Sequence, residues 1–309
     1  MRTVFMGSPS FALPTLLALA EHYQLAGVVT QPDRRAGRGR ILRAPPAKEA
    51  ALRLRIPIIQ PTNVNHPSSL SQLRAWAPDF IVVSAYGQIL RSSILDLPRF
   101  GCLNVHASLL PRWRGAAPVQ AAIFHGDLQT GVTIMLLDPG MDTGPILAQR
   151  ETAILDGETG GRLEARLATL GAELLLDVLP AYLQGDLQPT PQDDSKASYA
   201  PSLKKADGQL DWRKSSPALA RQVRAFDPWP RSFFAWEQRR IIVHAARAFP
   251  DLSIEIGRVT SHQGLPAIGT SQGALILDTL QLPGRKPTSG RAFLHGARGF
   301  EGSLLSPPT

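Results

Sequence analysis

Apolar residues in the first half of the chain fall into short continuous runs, separated by segments with helical spacing. Arg2 to Gly7 reads as a buried strand. Pro9 to His22 follows, with Phe11, Leu13, Leu16, Leu17 and Leu19 recurring on one helical face. Leu25 to Thr30 is a second strand, Lys48 to Leu54 a helix, Ile56 to Ile59 a short strand and Ser69 to Trp76 a helix. Phe80 to Ser84, the strand carrying Asn104 and His106, and Val132 to Leu137 complete the series. Continuous apolar strands alternating with amphipathic helices predict an α/β fold, a Rossmann-like doubly wound and mostly parallel sheet.

The pattern changes after the long amphipathic helix Gly161 to Leu183. Gln184 to Ala200 is rich in Pro, Asp, Gln and Ser, which is a connector composition. Beyond it lies a helix, Ser216 to Ala225, then Phe226-Asp227-Pro228-Trp229-Pro230. Short strands follow at Ser232 to Glu237, Arg240 to Ala248, Glu255 to Thr260 and Ala274 to Leu282. Regularly spaced short strands predict a small β-barrel. The expected division is residues 1–189, a linker at 190–205, and a second domain at 206–309.

The 309 residues suffice for two cores. The N-terminus lacks a cationic leader followed by a long apolar stretch, and no apolar run reads as a membrane span, so a cytoplasmic chain without a membrane partner is expected. Cys102 is the one cysteine, which excludes an internal disulfide and a cysteine metal cluster. Its place on a strand suggests a buried, inert thiol. The net charge of +8 suggests a polyanionic partner, nucleic acid first, although an arginine-rich composition can arise without one.

Charge position says more than its total. Gln31 to Arg43 holds five arginines in thirteen residues, with Gly37 and Gly39 flanking Arg38. Glycine permits close backbone approach, and the guanidinium fork suits phosphate oxygens. This loop follows the second strand, so it should emerge on the edge where open α/β sheets bind ligands.

The densest candidate chemistry is Asn104-Val105-His106 and the loop behind it. Residues two apart share a strand face, so an amide and an imidazole project together before a loop of Pro, Arg and Gly. A second polar loop, Asp138 to Gly144, also follows an apolar strand and is expected to bring Asp142 to His106 from the same edge. The first turn, Met6-Gly7-Ser8-Pro9, lacks the second and third glycines of a dinucleotide fingerprint, and no phosphate loop or zinc-helix motif appears. No nicotinamide, flavin or metal is expected.

These residues resemble the methionyl-tRNA formyltransferase family along nearly the whole chain. The matching segments are Thr30 to Arg34 with Ala36 to Gly39, Val83 to Gly87, Asn104 to Gln120, Gly131 to Met135, Asp142 to Gly144, and Arg224 to Pro230. Arg35 stands where the family usually has proline, and Arg40-Ile41 where a lysine pair is common. The resemblance implies a Rossmann-like catalytic domain joined to an OB-like barrel. It implies formyl transfer from 10-formyltetrahydrofolate to the amino group of initiator methionyl-tRNA, for translation initiation, by a monomer.

Under that resemblance Asn104, His106 and Asp142 are the catalytic set. The folate would lie along Ser108, Leu109, Leu110 and Pro111 and the Asp138 to Asp142 loop, with Leu109, Leu110 and Ile89 covering its ring. Arg34, Arg38, Arg40 and Arg43 would meet the tRNA acceptor end. Lys204, Lys205, Arg213, Arg221, Arg224, Arg231, Arg239, Arg240 and Arg247 would hold its backbone by charge. Two alternatives remain: a formyltransferase for a nucleotide-linked amino sugar, sharing the three catalytic residues, and a non-catalytic RNA-binding protein.

Overall fold

The computed structural model describes residues 1–36 and 41–308. Arg38 and Arg40 therefore lie outside the described residues. Two compact units emerge. The first comprises Met1–Pro118, Gln129–Ala153 and Glu164–Ala200, and the second comprises Val119–Leu128, Ile154–Leu163 and the chain from Pro201 onward.

The first unit is built on a seven-stranded sheet. Its strands are β1 (Arg2–Gly7), β2 (Gln24–Val29), β5 (Ile58–Ile59), β6 (Phe80–Ser84), β7 (Cys102–His106), β9 (Gln129–Leu136) and β10 (Ile146–Ala153). Between these lie a hairpin of β3 (Arg34–Ala36) and β4 (Ile41–Arg43), and a short pair of β8 (Arg114–Gly115) with β11 (Tyr199–Ala200). The sheet order is β10-β9-β7-β6-β1-β2-β5. β7, β6, β1, β2 and β5 run parallel. Strand order reverses between β1 and β6, the switch point beside which such sheets bind ligands.

Helices α1 (Leu13–His22), α2 (Pro46–Arg53), α3 (Pro67–Trp76) and the single turn α4 (Ser92–Leu95) connect the parallel strands. Prolines at the starts of α1, α2 and α3 occupy positions where the missing N–H costs nothing. Leu16, Leu19, Leu73 and Trp76 turn onto the sheet and are buried.

Two strands differ from the sequence reading. β9 pairs antiparallel with β7, Leu103 opposite Leu136 and His106 opposite Thr133. Its end therefore lies at the start of β7, where Leu137 N–H donates to Cys102 O. The Asp138–Gly144 loop does not share the edge from which His106 projects. β10 is an edge strand paired antiparallel to β9. Its sequence, Ile-Leu-Ala-Gln-Arg-Glu-Thr-Ala, gives little apolar signal because one face is solvated.

Helix α6 (Gly160–Gln184) is long and apolar enough, by length and composition, to cross a membrane, unlike the expectation from sequence. Its apolar stripe, including Leu167, Leu174, Leu175 and Leu179, is buried in the fold. At Gly171 any Cβ would stand 2.5 Å from a Val105 methyl, so glycine is what lets the helix seat directly behind the β7 strand.

The second unit contains helices α5 (Pro118–His125, all but its first residue), α7 (Ser216–Ala225) and α8 (Gly290–Gly296). Its sheet is β12 (Ser232–Trp236), β13 (Arg239–Phe249), β14 (Val259–His262), β15 (Leu265–Gly269), β16 (Ala274–Gln281) and β17 (Thr288–Ser289). All pairings in this sheet are antiparallel, in the order β12-β13-β16-β15-β14 with β17 on β16. Trp212, Phe234, Trp236, Phe293 and Phe300 form its aromatic core with Leu219 and Val223 of α7. β15 was missed because Pro266 sits within it. The unit also takes in residues 119–128 and 154–163, which sequence order assigns to the first domain. Phe124 stacks on Phe226 at 5.5 Å, and Gly161 N–H donates to Asp227 O.

Candidate active site

β7 is buried along its whole length between β6 and β9. Its alternation sets Asn104 and His106 on one face, as the sequence requires. Asn104 is 8% exposed and its amide makes no hydrogen bond among the described residues. A mostly buried amide without a protein partner is a group ready for a ligand.

The chain after His106 is held at nearly every polar atom. Ser108 Oγ donates to Arg112 O at 2.6 Å. Thr133 Oγ1 of β9 donates to Ser108 O at 2.7 Å and accepts from Leu110 N at 3.1 Å. Gln149 of β10 donates to Leu110 O and to the same Thr133 hydroxyl. Trp113 then takes a left-handed backbone, with φ 60°. Its carbonyl lies 3.0 Å from His106 Nε2, so this nitrogen carries a proton and donates. Nδ1 is left facing Asp142, with Oδ2 at 3.6 Å. That separation is an ion-pair distance, longer than a hydrogen bond.

Asp142 reaches this position because its loop turns back along β7. Asp138 organises the turn, its carboxylate accepting from Gly140 N and Thr143 Oγ1. Asp142 itself has φ 54°, and its Oδ2 accepts from Gly115 N at 2.8 Å. Left-handed non-glycine residues each cost about 1–3 kcal/mol and persist where surroundings over-determine them. Two such residues flank His106. Gly115, at φ 114°, packs so closely on Ala200 O that a Cβ would lie 2.7 Å from it.

Residues 190–200 are not a free connector. Ser198 Oγ accepts from Trp113 N, Ser198 O from Arg114 N, and Ala200 O from Ala116 N and Ala117 N. The Arg114 guanidinium, 2% exposed, donates to Gln192 Oε1 and Asp194 Oδ1. Gln192 Nε2 donates to Asp142 O and Gly144 O. Sequence reasoning missed Thr133, Gln149, Gln192 and Ser198, since ordinary polar residues in strands and connectors carry no motif.

The other expected residues lie as follows. Leu110 is in the interior, and Leu109 packs where a Gly131 side chain would be. Pro111 O accepts from Ser198 N. Ile89, in the loop after β6, is 75% exposed. Cys102 is buried, and that burial pushes its thiol up to about 12, so it stays protonated. Among the described residues no group of His, Cys, Asp and Glu could hold a metal.

Arg34 and Arg43 face each other across the β3/β4 hairpin and are exposed, as are Lys204 and Lys205. The root of the hairpin is fixed. Asp33 pairs with Lys48 at 2.7 Å and accepts from Gln60, and Gln31 donates to Tyr86 O. Hydrogen bonds from Gln60 and Lys48 hold the Asp33 carboxyl below its ordinary range. In the second unit the arginines expected to hold tRNA by charge already have partners. Arg213, Arg231, Arg239 and Arg247 pair with Asp211, Asp227, Glu237 and Asp278. Arg221 and Arg224 donate to the carbonyls of Phe124 and Glu158, and Arg240 lies over the Phe233 ring.

Comparison with known proteins identifies the family of the chain. Residues 1–179 match the Formyl transferase family and residues 202–298 the Formyl transferase C-terminal domain. The chain is 44% identical over 302 residues to methionyl-tRNA formyltransferase of Myxococcus xanthus, covering 98% of this chain and 97% of that one. It is 46% identical over 308 residues to the enzyme of the same name from Chloroflexus aggregans, covering 98% and 100%. The fold is shared with HypX from Aquifex aeolicus in complex with tetrahydrofolic acid, at 17% identity and TM-score 0.64 over 100% of this chain and 50% of that one. It is also shared with an N-formyltransferase from Helicobacter canadensis, at 16% identity and TM-score 0.65 over 89% and 98%. By sequence along its full length, the chain belongs to the methionyl-tRNA formyltransferase family.

Proposed function

We propose that Asn104, His106 and Asp142 carry the transfer of a formyl group from 10-formyltetrahydrofolate to the amino group of initiator methionyl-tRNA. The observation that carries this reading is the trio itself: an unpartnered amide, an imidazole with one nitrogen fixed, and a carboxylate at its other nitrogen. The folate supplies the formyl group, whose oxygen gains negative charge as the amine adds to its carbon. Stabilising that oxygen with a preorganised donor is commonly the largest catalytic effect. The Asn104 amide is the donor without another task.

His106 has a narrower role than a second oxyanion donor. The Trp113 carbonyl keeps Nε2 protonated, so proton exchange is confined to Nδ1. With Nδ1 protonated, the ring is an imidazolium beside the Asp142 carboxylate. With Nδ1 bare, the pair accepts the proton leaving the amine and returns it to N10 of the folate as the bond from the formyl carbon to N10 breaks and tetrahydrofolate departs. Gly115 N–H holds the carboxylate in place meanwhile.

For binding, the folate is assigned to the space beside Ser108, Leu109, Leu110, Pro111, Asp138 and Ile89. Exposed Ile89 is the natural ring cover, since the Leu110 side chain is buried in the interior. The arginine hairpin, with Arg34 and Arg43, is assigned to the acceptor end of the tRNA. The second unit, read as an OB-like barrel, is assigned to the tRNA body through Lys204 and Lys205. A translation substrate makes the cytoplasm the proposed setting.

The test is formylation of methionyl-initiator tRNA by the full chain with 10-formyltetrahydrofolate, beside a nucleotide-linked amino sugar as alternative acceptor. N-formylmethionyl-tRNA as product, absent with His106→Ala, supports the reading. Formylation of the sugar alone would replace it.

A further inference from the structure

The segment that composition marks as a connector bonds Asp142 directly and reaches His106 through Trp113. On one side Ser198 Oγ accepts from Trp113 N, and the Trp113 carbonyl fixes His106 Nε2. On the other, Gln192 Nε2 donates to the Asp142 carbonyl at 2.8 Å and to Gly144 O at 2.7 Å. The Gln192 amide cannot turn over, because its Oε1 accepts two hydrogen bonds from the buried Arg114 guanidinium. Asp194 Oδ1 accepts from the same Nη2 that donates to Gln192, so one edge of the Arg114 guanidinium is held by both residues.

Asp142 needs such support. Its backbone is left-handed at φ 54°, and its loop leaves the end of β9 beside the start of β7, yet its carboxylate meets His106 at the other end of β7. The direction of its carboxylate follows from the backbone to which the side chain is attached. The Gly115 N–H holds one carboxylate oxygen, and Gln192 holds the carbonyl behind it.

We propose that Gln192 is a positioning residue for formyl transfer: clamped by Arg114, it fixes the Asp142 backbone and so the carboxylate's approach to His106 Nδ1. The proposal rests on the reading of Asn104, His106 and Asp142 as the catalytic set. It gives residues 192–198 a role in the chemistry of the first unit in addition to joining it to the second.

Gln192→Glu is the discriminating variant. It keeps an acceptor for Arg114 but replaces the donor with a carboxylate oxygen facing two carbonyls. The expected result is a fall in kcat of about 10- to 100-fold, since small misplacement of a reacting group has that effect. KM for methionyl-tRNA and for the folate should stay nearly unchanged. The pH–rate profile should change shape, because the carboxylate beside His106 has moved. A merely structural glutamine would leave that profile alone. Combined with Asp142→Ala, Gln192→Glu should cause no further loss, as two changes acting through one group are not additive. Gln192→Met, of similar length, repeats the measurement should the glutamate variant misfold.

Wild-type kcat and pH profile in both Gln192 variants, with Asp142→Ala inactive, would overturn the proposal and leave the catalytic set standing. Losses that add fully to those of Asp142→Ala would also overturn it. Full activity in Asp142→Ala would overturn the catalytic reading itself.

Discussion

Two loops leave the carboxyl ends of parallel strands, and they are built on opposite plans. The loop after β7 is bonded throughout. Thr133, Gln149, Gln192 and Ser198 reach in from β9, β10 and the connector to hold residues 108 to 115 and the Asp142 turn. The loop after β2 is fixed at its root by Asp33, Lys48, Gln60 and Gln31, and beyond that it presents exposed side chains: Arg34, Arg35, Ile41, Leu42 and Arg43. The roles proposed for the two loops account for the difference. Placing a proton and an oxyanion donor tolerates errors well under an ångström. Meeting a large polyanion needs charges that can adjust to it, and electrostatic attraction falls off slowly enough to allow that.

The contrast can be broken most sharply at the braced loop. Asn104→Ala or His106→Ala is expected to lower kcat about 100- to 1,000-fold with tRNA binding retained, measured by single-turnover formylation beside filter binding. Equal loss of binding would mean that this loop recognises rather than reacts.

Thr133→Val tests the bracing itself. The substitution keeps the shape but strands Leu110 N–H, Ser108 O and an arm of Gln149, so stability should fall by about 1–3 kcal/mol in urea unfolding, with kcat falling too. A variant with normal stability and activity would show that the network is incidental.

At the other loop the effects should be smaller and fall on binding. Lys48→Ala frees Asp33 at the root, and KM for tRNA should rise several-fold with kcat nearly unchanged. The pH sign is set by Asp33, whose carboxyl is held low in the folded chain by Gln60 and Lys48. Its contribution is present above the ordinary carboxylate range and is lost as pH falls through the lowered value. Protection factors of the hairpin-root amides should therefore fall in acid in the wild type, and this change should shrink in Lys48→Ala.

The smallest effect is expected at the paired arginines of the hairpin. Arg34→Ala and Arg43→Ala should each weaken tRNA binding modestly and lower the slope of log affinity against log salt by about 1. An unchanged slope would remove these two side chains from the phosphate contacts. Because four second-unit arginines already face carboxylates, changes at Arg213, Arg231, Arg239 or Arg247 should alter that slope less than changes at Lys204 or Lys205.

Much of this was legible from residue order because it depends on local patterning. Buried runs such as Val4 to Met6 and Phe80 to Ser84 could only be interior strands. The alternation of Asn104 and His106 on one strand set their common face before any contact was known. The charge of the hairpin, the inertness of Cys102 and the change of pattern beyond the connector were equally plain, each resting on residue type and near neighbours.

What tertiary structure alone decided is long-range. The antiparallel direction of β9 put the Asp142 loop at the far end of β7 and made it turn back. The pairing of β8 with β11 drew residues 190–200 into the site, against their composition, because backbone groups of the Trp113–Ala117 loop needed partners and found them there. Residues 119–128 and 154–163 joined the second unit through the Phe124–Phe226 stack and neighbouring contacts, which no window of sequence contains. Hydrogen-bond partners and strand directions are chosen by closure of the whole fold, whereas strand faces and helix stripes are written in the spacing of the residues themselves.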